Sequence, residues 1–242
     1  MKNYIDVHTH TISSGHAYSS LQENIASAKE KGLSYYGVSD HAPMMLGGPH
    51  SYYFSNMGVI PSEIDGIRIL KGIEANIHSI TGEIDVDKDA LRAVDYIIAS
   101  MHSPCYAPSH TPQENLMAYE GACRNPRVTV IGHPDDGRFP CDYERLVECC
   151  KETGTLIEIN NSSLKPGGFR SNCKEISTEI LRICKEKNHP IIMNSDAHIS
   201  YDVGNLNYAE ELIEECGFPK ELVVNYNVEL IEKYFFKGKE SK

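Results

Sequence analysis

The chain has 242 residues, of which 40% are hydrophobic and 24% are charged, a composition typical of a folded domain with one full core. Its net charge of −11 disfavours a large nucleic-acid surface, because neutralising phosphates requires clustered basic side chains. No apolar run reaches the length of a membrane-spanning helix, and the N-terminus lacks a signal-peptide layout. We therefore expect a cytoplasmic protein with one domain over residues 1–242 and no membrane partner.

Seven short apolar, β-branched runs predict strands along the chain. They are YIDV (4–7), YYGVS (35–39), IRILKGI (67–73), YIIAS (96–100), VTVIG (128–132), TLIEI (155–159) and PIIMN (190–194). The segment ELVVN (221–225) is a weaker candidate for an eighth strand. The last six residues, KGKESK, are typical of a frayed tail.

Helical patterns lie between these runs and begin at recognisable capping residues. The predicted helices are the segment opened by the Ser20–Glu23 capping box and ended by Gly32, the segment after Thr111-Pro112, the segment from Asp142 to Gly154, residues 174–187, and the segment after Asn227. The alternation of strand and helix predicts a parallel sheet with crossover helices. At this length a closed βα barrel is favoured over an open sheet, and no Gly-x-Gly-x-x-Gly motif supports a dinucleotide-binding fold.

The eight cysteines include no Cys-x-x-Cys pair, and two of them, Cys149 and Cys150, are adjacent. This spacing is a poor start for a disulfide framework, so we expect mostly buried, reduced thiols.

Histidines concentrate just beyond the predicted strands, where the chemistry of βα barrels takes place. Six of the 11 histidines lie there: His8, His10, His41, His102, His133 and His198. Glu74 and Asp196 occupy the same level. Imidazole and carboxylate without thiolate suit zinc, manganese or iron, and paired metals can polarise a phosphoryl group and supply a hydroxide at neutral pH.

Six motifs occur in order at the strand ends: DVHTHT…GH (6–16), SDH (39–41), GIEAN (72–76), SMH (100–102), GHPD (132–135) and NSDAH (194–198). Together they resemble the PHP (polymerase and histidinol phosphatase) superfamily, and the length and the NNSS segment (160–163) resemble its YcdX-type phosphatases. The resemblance implies an α/β fold, a single-domain distorted (βα)7 TIM-like barrel with a trinuclear metal site. The three divalent ions would be zinc first, with manganese or iron as alternatives.

The resemblance also assigns ligands, and every expected position holds the expected residue type. One metal would be held by His8, His10, Glu74 and Asp196; a second by the bridging Glu74 with His102 and His133; a third by His16, His41 and His198.

Several other residues are candidates for substrate binding or for orienting the ligands. Arg170 is the first choice for binding phosphate, because guanidinium forms bidentate contacts and an arginine of the corresponding loop faces substrate in the resembling phosphatases. Ser171 and Asn172 are candidate hydrogen-bond donors, and Arg138 is the alternative arginine. Asp40 and Asp135 are candidates to orient metal-bound imidazoles.

Two further predictions concern residues outside these motifs. The irregular, aromatic segment 42–61 is a candidate lid in which Tyr52, Tyr53 and Phe54 either line the substrate pocket or pack on the barrel rim. His189 precedes the seventh strand at the opposite end of the barrel, where we expect it on the surface.

These patterns predict a phosphatase that hydrolyses a small phosphate monoester by attack of a metal-activated hydroxide, with Glu74, Asp196 and Arg170 as catalytic residues. The alternatives are histidinol phosphatase, a PHP-type nuclease acting on nucleic-acid ends, and a non-enzymatic binding module. The amidohydrolases share the first His-x-His, but Glu74 and His102 at the third and fourth strand ends fit them poorly. The sequence does not indicate the oligomeric state.

Overall fold

The computed structural model describes residues 1–236, and the KGKESK tail lies outside them. Seven parallel strands form a nearly closed barrel, in the order β1–β2–β4–β5–β6–β7–β8. Their bounds are β1 (Ile5–Asp6), β2 (Tyr35–Val38), β4 (Ile67–Asn76), β5 (Tyr96–Ser100), β6 (Val128–Ile131), β7 (Leu156–Asn160) and β8 (Ile191–Asn194). The short strand β3 (Glu63–Ile64) makes an antiparallel hairpin with β4. The predicted (βα)7 barrel is confirmed.

Helices connect the strands and cover the outside of the barrel. They are α1 (Leu21–Glu30), α2 (Ser51–Ser55), α3 (Lys88–Ala93), α4 (Pro112–Cys123), α5 (Tyr143–Thr153), α6 (Cys173–Glu186), α7 (Asn207–Glu215) and α8 (Val228–Phe235). The predicted capping residues act as expected, since Ser20 and Thr111 each form a complete capping box. A capping box satisfies backbone donors that a helix start leaves without partners.

The barrel interior below the strand ends is filled by a cluster of buried apolar side chains, of which Tyr96 is the largest from the barrel strands. Tyr96 is fully buried, and a Cβ at Gly72 would lie 2.2 Å from its ring, so the ring occupies the space that a side chain at this position would need. Helix α8 closes the N-terminal end of the barrel, where Phe235 packs edge-on against Tyr96 with ring centroids 5.6 Å apart. The carboxyl ends of the strands therefore lie above a packed apolar interior.

The gap between the first and last strands is bridged by one asparagine. The side chain of Asn225 donates to the carbonyls of Ile5 (2.9 Å) and Met193 (2.8 Å) and accepts from the Met193 N–H (2.8 Å). At the other end of the gap, Thr9 and Ala197 form an isolated parallel bridge. These contacts take the place of a continuous ladder between β1 and β8.

The prediction of an eighth strand at 221–225 is wrong. The segment forms two 3-10 turns, Lys220–Leu222 and Val224–Tyr226, and its only ladder contact among the described residues is a single bridge between Val223 and Ile191. Asn225 joins the neighbouring strands mainly through its side chain, and its backbone carbonyl adds one contact by accepting from the Tyr4 N–H at 2.9 Å. The segment therefore serves as a bridge instead of a strand.

The segment 42–61 is less irregular than its composition suggests. It contains α2, and Phe54 and Met57 are buried in the core. Tyr53 donates its hydroxyl to Asp40 at 2.7 Å, whereas Tyr52 is 75% exposed. The segment is thus anchored to the barrel rim at several points.

Buried groups on the barrel exterior include most of the cysteines and one unexpected histidine. All eight cysteines are free and five of them are buried, in line with the prediction of reduced thiols. The expectation that His189 lies on the surface is wrong, because it is 2% exposed. Its position between α6 and β8 places it under the helical layer rather than at its edge.

Candidate metal centre

The carboxyl ends of the barrel strands bring all nine predicted metal ligands to one mouth. They are His8, His10, His16, His41, Glu74, His102, His133, Asp196 and His198. Parallel strands place the residues at their carboxyl ends on one edge of the sheet, which explains why positions up to 190 residues apart meet here.

The carboxylate of Glu74 lies at the middle of the imidazoles and is 1% exposed. The imidazole nitrogens nearest to its Oε1 belong to His8 (3.1 Å), His102 (3.2 Å) and His133 (3.0 Å). Those nearest to Oε2 belong to His41 (2.6 Å) and His10 (3.5 Å). One carboxylate therefore faces five imidazoles.

Asp196 provides the second carboxylate of the mouth. Its Oδ1 lies 3.2 Å from His10 Nε2, 3.5 Å from His8 Nε2 and 3.6 Å from His198 Nδ1. Asp196 has a positive φ of 53°, a conformation that turns the chain sharply after β8. This turn aims the carboxylate across the mouth toward the first strand.

His16 completes the group although it lies in a loop. Its ring centroid is 4.9 Å from that of His41 and 4.9 Å from that of His198. The preceding Gly15 has φ 80°, and a Cβ there would lie 2.5 Å from the carbonyl oxygen of Gly47. Only glycine fits this contact, so the close approach of two backbones sets the direction of His16.

Several buried polar atoms at the mouth make no hydrogen bond. They are His8 Nε2, His10 Nε2, His41 Nδ1, Glu74 Oε2 and His102 Nε2. Buried polar atoms without partners are rare and costly, and these atoms face one another. With His198 added, these residues form three overlapping groups of three possible ligands whose donor atoms lie within 4.8 Å of one another. An arrangement of imidazole and carboxylate donors of this kind fits divalent cations of the zinc, manganese or iron type.

The surroundings of both carboxylates favour the ionised form that a metal ligand requires. Burial alone would raise the pKa of Glu74, but the imidazoles of His8, His41 and His102 hold it well below its usual range. Burial also opposes ionisation of Asp196, whereas His8 and Arg170 hold its pKa well below the usual range. The two carboxylates therefore place negative charge at the mouth, which favours the binding of cations.

The imidazoles are oriented by residues that the sequence analysis missed. His102 Nδ1 contacts Asn76 Oδ1 at 2.8 Å, and His8 Nδ1 contacts Glu158 Oε1 at 2.7 Å. Such partners fix the tautomer of a histidine ligand. Glu158 had a readable signal, since it is the one charged residue in the apolar strand TLIEI.

The two aspartates predicted to orient imidazoles contact other groups. Asp40 accepts from the Thr11 N–H (2.7 Å) and from the Ser14 hydroxyl (2.7 Å), and Ser14 Oγ lies 3.1 Å from His10 Nδ1. Asp40 thus acts on His10 through Ser14. Asp135 accepts hydrogen bonds from Ser163 and Ser177, and burial raises its pKa to about 7.

Arg170 lies at the mouth with its side chain 7% exposed. Its guanidinium donates to Asp196 Oδ2 from both terminal nitrogens at 3.1 Å and to Ser163 Oγ at 3.0 Å. Its Nε is buried without a hydrogen bond. The exposed ring of Phe169 lies between Arg170 and Arg138, 5.1 Å from each guanidinium carbon.

The remaining predicted substrate residues lie farther along the same loops. Arg138 pairs with Asp136 and donates to Ser103 Oγ at 3.0 Å. Ser171 accepts the Gly137 N–H through its backbone carbonyl at 2.9 Å. Asn172 has φ 55° at the start of α6 and makes no capping hydrogen bond with its side chain. Their roles toward substrate stay predictions.

A family model for the PHP domain matches residues 6–164 of the chain. The chain belongs to the PHP domain family. It is 44% identical over 230 residues to a probable phosphatase of Caldanaerobacter subterraneus subsp. tengcongensis, covering 95% of this chain and 90% of the relative. It is 42% identical to a probable phosphatase of Acetivibrio thermocellus, covering 99% of this chain and 98% of the relative.

The solved structures of PHP proteins share the fold. Histidinol phosphate phosphatase from Lactococcus lactis, solved with zinc, L-histidinol and phosphate, matches with a TM-score of 0.60 at 17% identity, over 90% of this chain and 95% of that one. A candidate histidinol phosphatase of Listeria monocytogenes matches with a TM-score of 0.57 at 17% identity, over 83% of this chain and 97% of that one.

These findings confirm the resemblance drawn from the motifs, and with it the expected enzyme class, a phosphate-ester hydrolase of the PHP family. Among residues 1–236, none of the helices has both the length and the apolar character needed to cross a bilayer.

Proposed function

We propose that this PHP protein is a phosphomonoesterase that hydrolyses a small phosphate monoester and depends on three divalent metal ions. The observation that carries the proposal is Glu74, a buried carboxylate facing five imidazoles whose nitrogens largely lack hydrogen bonds. Bound cations would give these converging buried atoms the partners that the protein's own hydrogen bonds do not provide.

The nine side chains divide into three half-sites, of which the first two share the carboxylate of Glu74. The first comprises His8, His10, Glu74 and Asp196; the second Glu74, His102 and His133; the third His16, His41 and His198. This division follows the ligand assignment that the family resemblance implies. Asp196 lies 3.2 Å from His10 within the first group, and the His16 ring lies 4.9 Å from those of His41 and His198 within the third. The groups also touch one another, since the His10 ring lies 4.2 Å from that of His198 and 4.4 Å from that of His41. His41 also approaches Glu74, so the third half-site adjoins the other two.

The ligand set favours zinc, with manganese or iron as alternatives, because it offers nitrogen and oxygen donors only. When bound, such ions polarise a phosphoryl group and lower the pKa of a coordinated water toward neutrality. Orienting the ligands and the substrate is then the role of the protein's own side chains.

Arg170 provides the positive charge of the protein nearest to the half-sites. It already holds Asp196 Oδ2, and its Nε, which makes no hydrogen bond, lies 4.0 Å from Asp136 Oδ2. A guanidinium in this position is suited to orient Asp196 and to stabilise charge on phosphoryl oxygens. Phe169, which is exposed, and the neighbouring Arg138 border the same opening, where they would contact the leaving group of the substrate.

The substrate is a small molecule rather than a nucleic acid in this proposal, because the chain carries a net charge of −11. Histidinol phosphate is one candidate, since a protein that shares the fold was solved with L-histidinol and phosphate. At 17% identity this likeness does not select the leaving group, which makes histidinol phosphate one substrate among those to be tested.

The test is metal analysis of the purified protein together with a screen of phosphorylated metabolites, histidinol phosphate included, with zinc, manganese and iron supplied separately. We expect close to three ions per chain and hydrolysis of at least one monoester. One or two ions at saturation would contradict the trinuclear site. Failure to hydrolyse any phosphate ester with any of the metals would contradict the phosphatase.

A further inference from the structure

Glu158 is a fully buried carboxylate on β7, immediately behind the candidate metal ligands. Its Oε1 accepts from His8 Nδ1 (2.7 Å) and Asn194 Nδ2 (2.8 Å). Its Oε2 accepts from the backbone N–H of His133 (2.7 Å) and from Asn160 Nδ2 (3.0 Å). Each oxygen thus receives two donors, which leaves no position for a proton on the carboxylate.

The first of these contacts decides where His8 carries its proton. A neutral imidazole has one N–H and one lone pair, and an acceptor beside Nδ1 keeps the N–H at that atom. The lone pair is then at Nε2, which lies 3.1 Å from Glu74 Oε1 and 3.5 Å from Asp196 Oδ1. Glu158 therefore selects the tautomer of His8 that presents a lone pair to the first half-site.

The second contact acts on a strained backbone. His133 has a φ of 29°, a conformation that a residue with a side chain rarely adopts. Its N–H is held by Glu158 Oε2, while its imidazole Nε2 lies 3.0 Å from Glu74 Oε1. The hydrogen bond keeps the backbone in the conformation that aims this imidazole at the second half-site.

We propose that Glu158 is a positioning residue that couples two half-sites of the metal centre, by setting the tautomer of His8 with one oxygen and the backbone of His133 with the other. This inference rests on the proposed metal-dependent function. It assigns to Glu158 no direct contact with metal or substrate.

A substitution with glutamine separates this role from simple packing, because the amide has nearly the same shape but only one acceptor. If the amide oxygen faces His8, the NH₂ group meets the N–H of His133 and the NH₂ of Asn160, all of them donors. If the NH₂ group faces His8, it favours the tautomer protonated at Nε2, which has no lone pair for a metal. Either orientation damages one half-site.

The experiment measures zinc content and zinc affinity of wild type and Glu158→Gln, by elemental analysis and by competition with a chromogenic chelator. We expect the variant to retain fewer ions per chain after dialysis and to bind zinc roughly 10- to 100-fold more weakly, the usual effect of losing a partner of a ligand. The absorption spectrum of the cobalt-substituted protein should change as well, a readout that packing alone does not move.

Asn225→Ala is the control, because it removes buried hydrogen bonds at the opposite end of the barrel and leaves the mouth intact. We expect it to lower stability but to keep the wild-type metal content. If Glu158→Gln does not fold, Glu158→Asp serves in its place, since the shorter carboxylate cannot reach both His8 and His133 and should show the same loss.

The outcomes separate the two proposals. Wild-type zinc content and affinity in a folded Glu158 variant would overturn the positioning role while leaving the metal centre standing. A wild-type protein that binds no divalent metal would overturn the proposed function and this inference together.

Discussion

Arg170 donates from both terminal nitrogens of its guanidinium to a single oxygen of Asp196, Oδ2, at 3.1 Å each. The other oxygen of Asp196 faces His10 and His8. The arginine predicted to bind phosphate is thus also the partner of a predicted metal ligand. Its charge helps to hold the pKa of Asp196 well below the usual range, against the effect of burial.

This relationship predicts that Arg170→Lys is not a conservative change. A lysine ammonium can replace the charge but cannot reach Asp196, Ser163 and the space beyond them in one planar arrangement. We expect kcat/KM for a phosphate monoester to fall roughly 100- to 1000-fold, as for the loss of one preorganised donor. Steady-state kinetics give the answer, with Arg145→Lys on the exposed face of α5 as the matched control. Equal effects of the two substitutions would refute the role.

Substitution of Glu74 should cause the largest loss of activity. Replacing it with glutamine removes the charge that five imidazoles surround while nearly preserving the shape of the side chain. We expect hydrolysis of a chromogenic phosphate ester to fall by more than ~100-fold, beyond the loss typical of residues that only orient ligands. His10→Ala should behave in the same way. Circular dichroism checks that each variant is folded, and full activity in either folded variant would contradict the proposed site.

Substitution of Gly15 should affect the third half-site selectively. An alanine there would adopt an unfavourable positive φ, and its Cβ would lie 2.5 Å from the carbonyl oxygen of Gly47, so the loop that carries His16 must move. We expect Gly15→Ala to reduce metal content from three ions per chain toward two, measured by elemental analysis.

Gly32→Ala is the matched control for this substitution. Gly32 also has a positive φ, 74°, but a Cβ there would meet nothing within 4 Å. The Gly32→Ala substitution therefore carries the same backbone cost, about 1 kcal/mol, without disturbing the mouth of the barrel. If both variants keep three ions, the assignment of His16 to a metal is wrong.

The sequence predicted the parts of the fold that depend on local patterns. The seven barrel strands follow from short apolar runs, and the helix starts at Ser20 and Thr111 follow from capping boxes. The convergence of the histidines at one mouth follows from the same pattern, because parallel strands place their carboxyl ends together.

The contacts that the sequence did not reveal join distant parts of the chain. Glu158 contacts His8 across 150 positions, and Asn225 contacts Ile5 across 220. The apolar strand TLIEI around Glu158 indicates that this glutamate is buried, but no local pattern identifies its four donors. The segment 221–225 has the composition of a strand, but the side chain of Asn225 forms most of the hydrogen bonds that a strand would make with its backbone.

His189 leads to a prediction about pH and stability. Burial lowers its pKa to about 4, from 6.5 for a free histidine. Between these values the unfolded chain binds a proton that the folded protein does not, so the free energy of unfolding must decrease as pH falls from 6.5 to about 4, and this contribution levels off below that. The difference in pKa corresponds to about 3 kcal/mol in all.

Urea unfolding of wild type and His189→Gln at pH 7.5 and pH 4.5 isolates this contribution, because the other titrating groups are common to both proteins. We expect the variant to be less stable than wild type at pH 7.5 through lost packing, and its deficit to shrink by about 2 to 3 kcal/mol at pH 4.5. A deficit that does not change with pH would show that His189 titrates alike in the folded and unfolded protein, as an exposed histidine would.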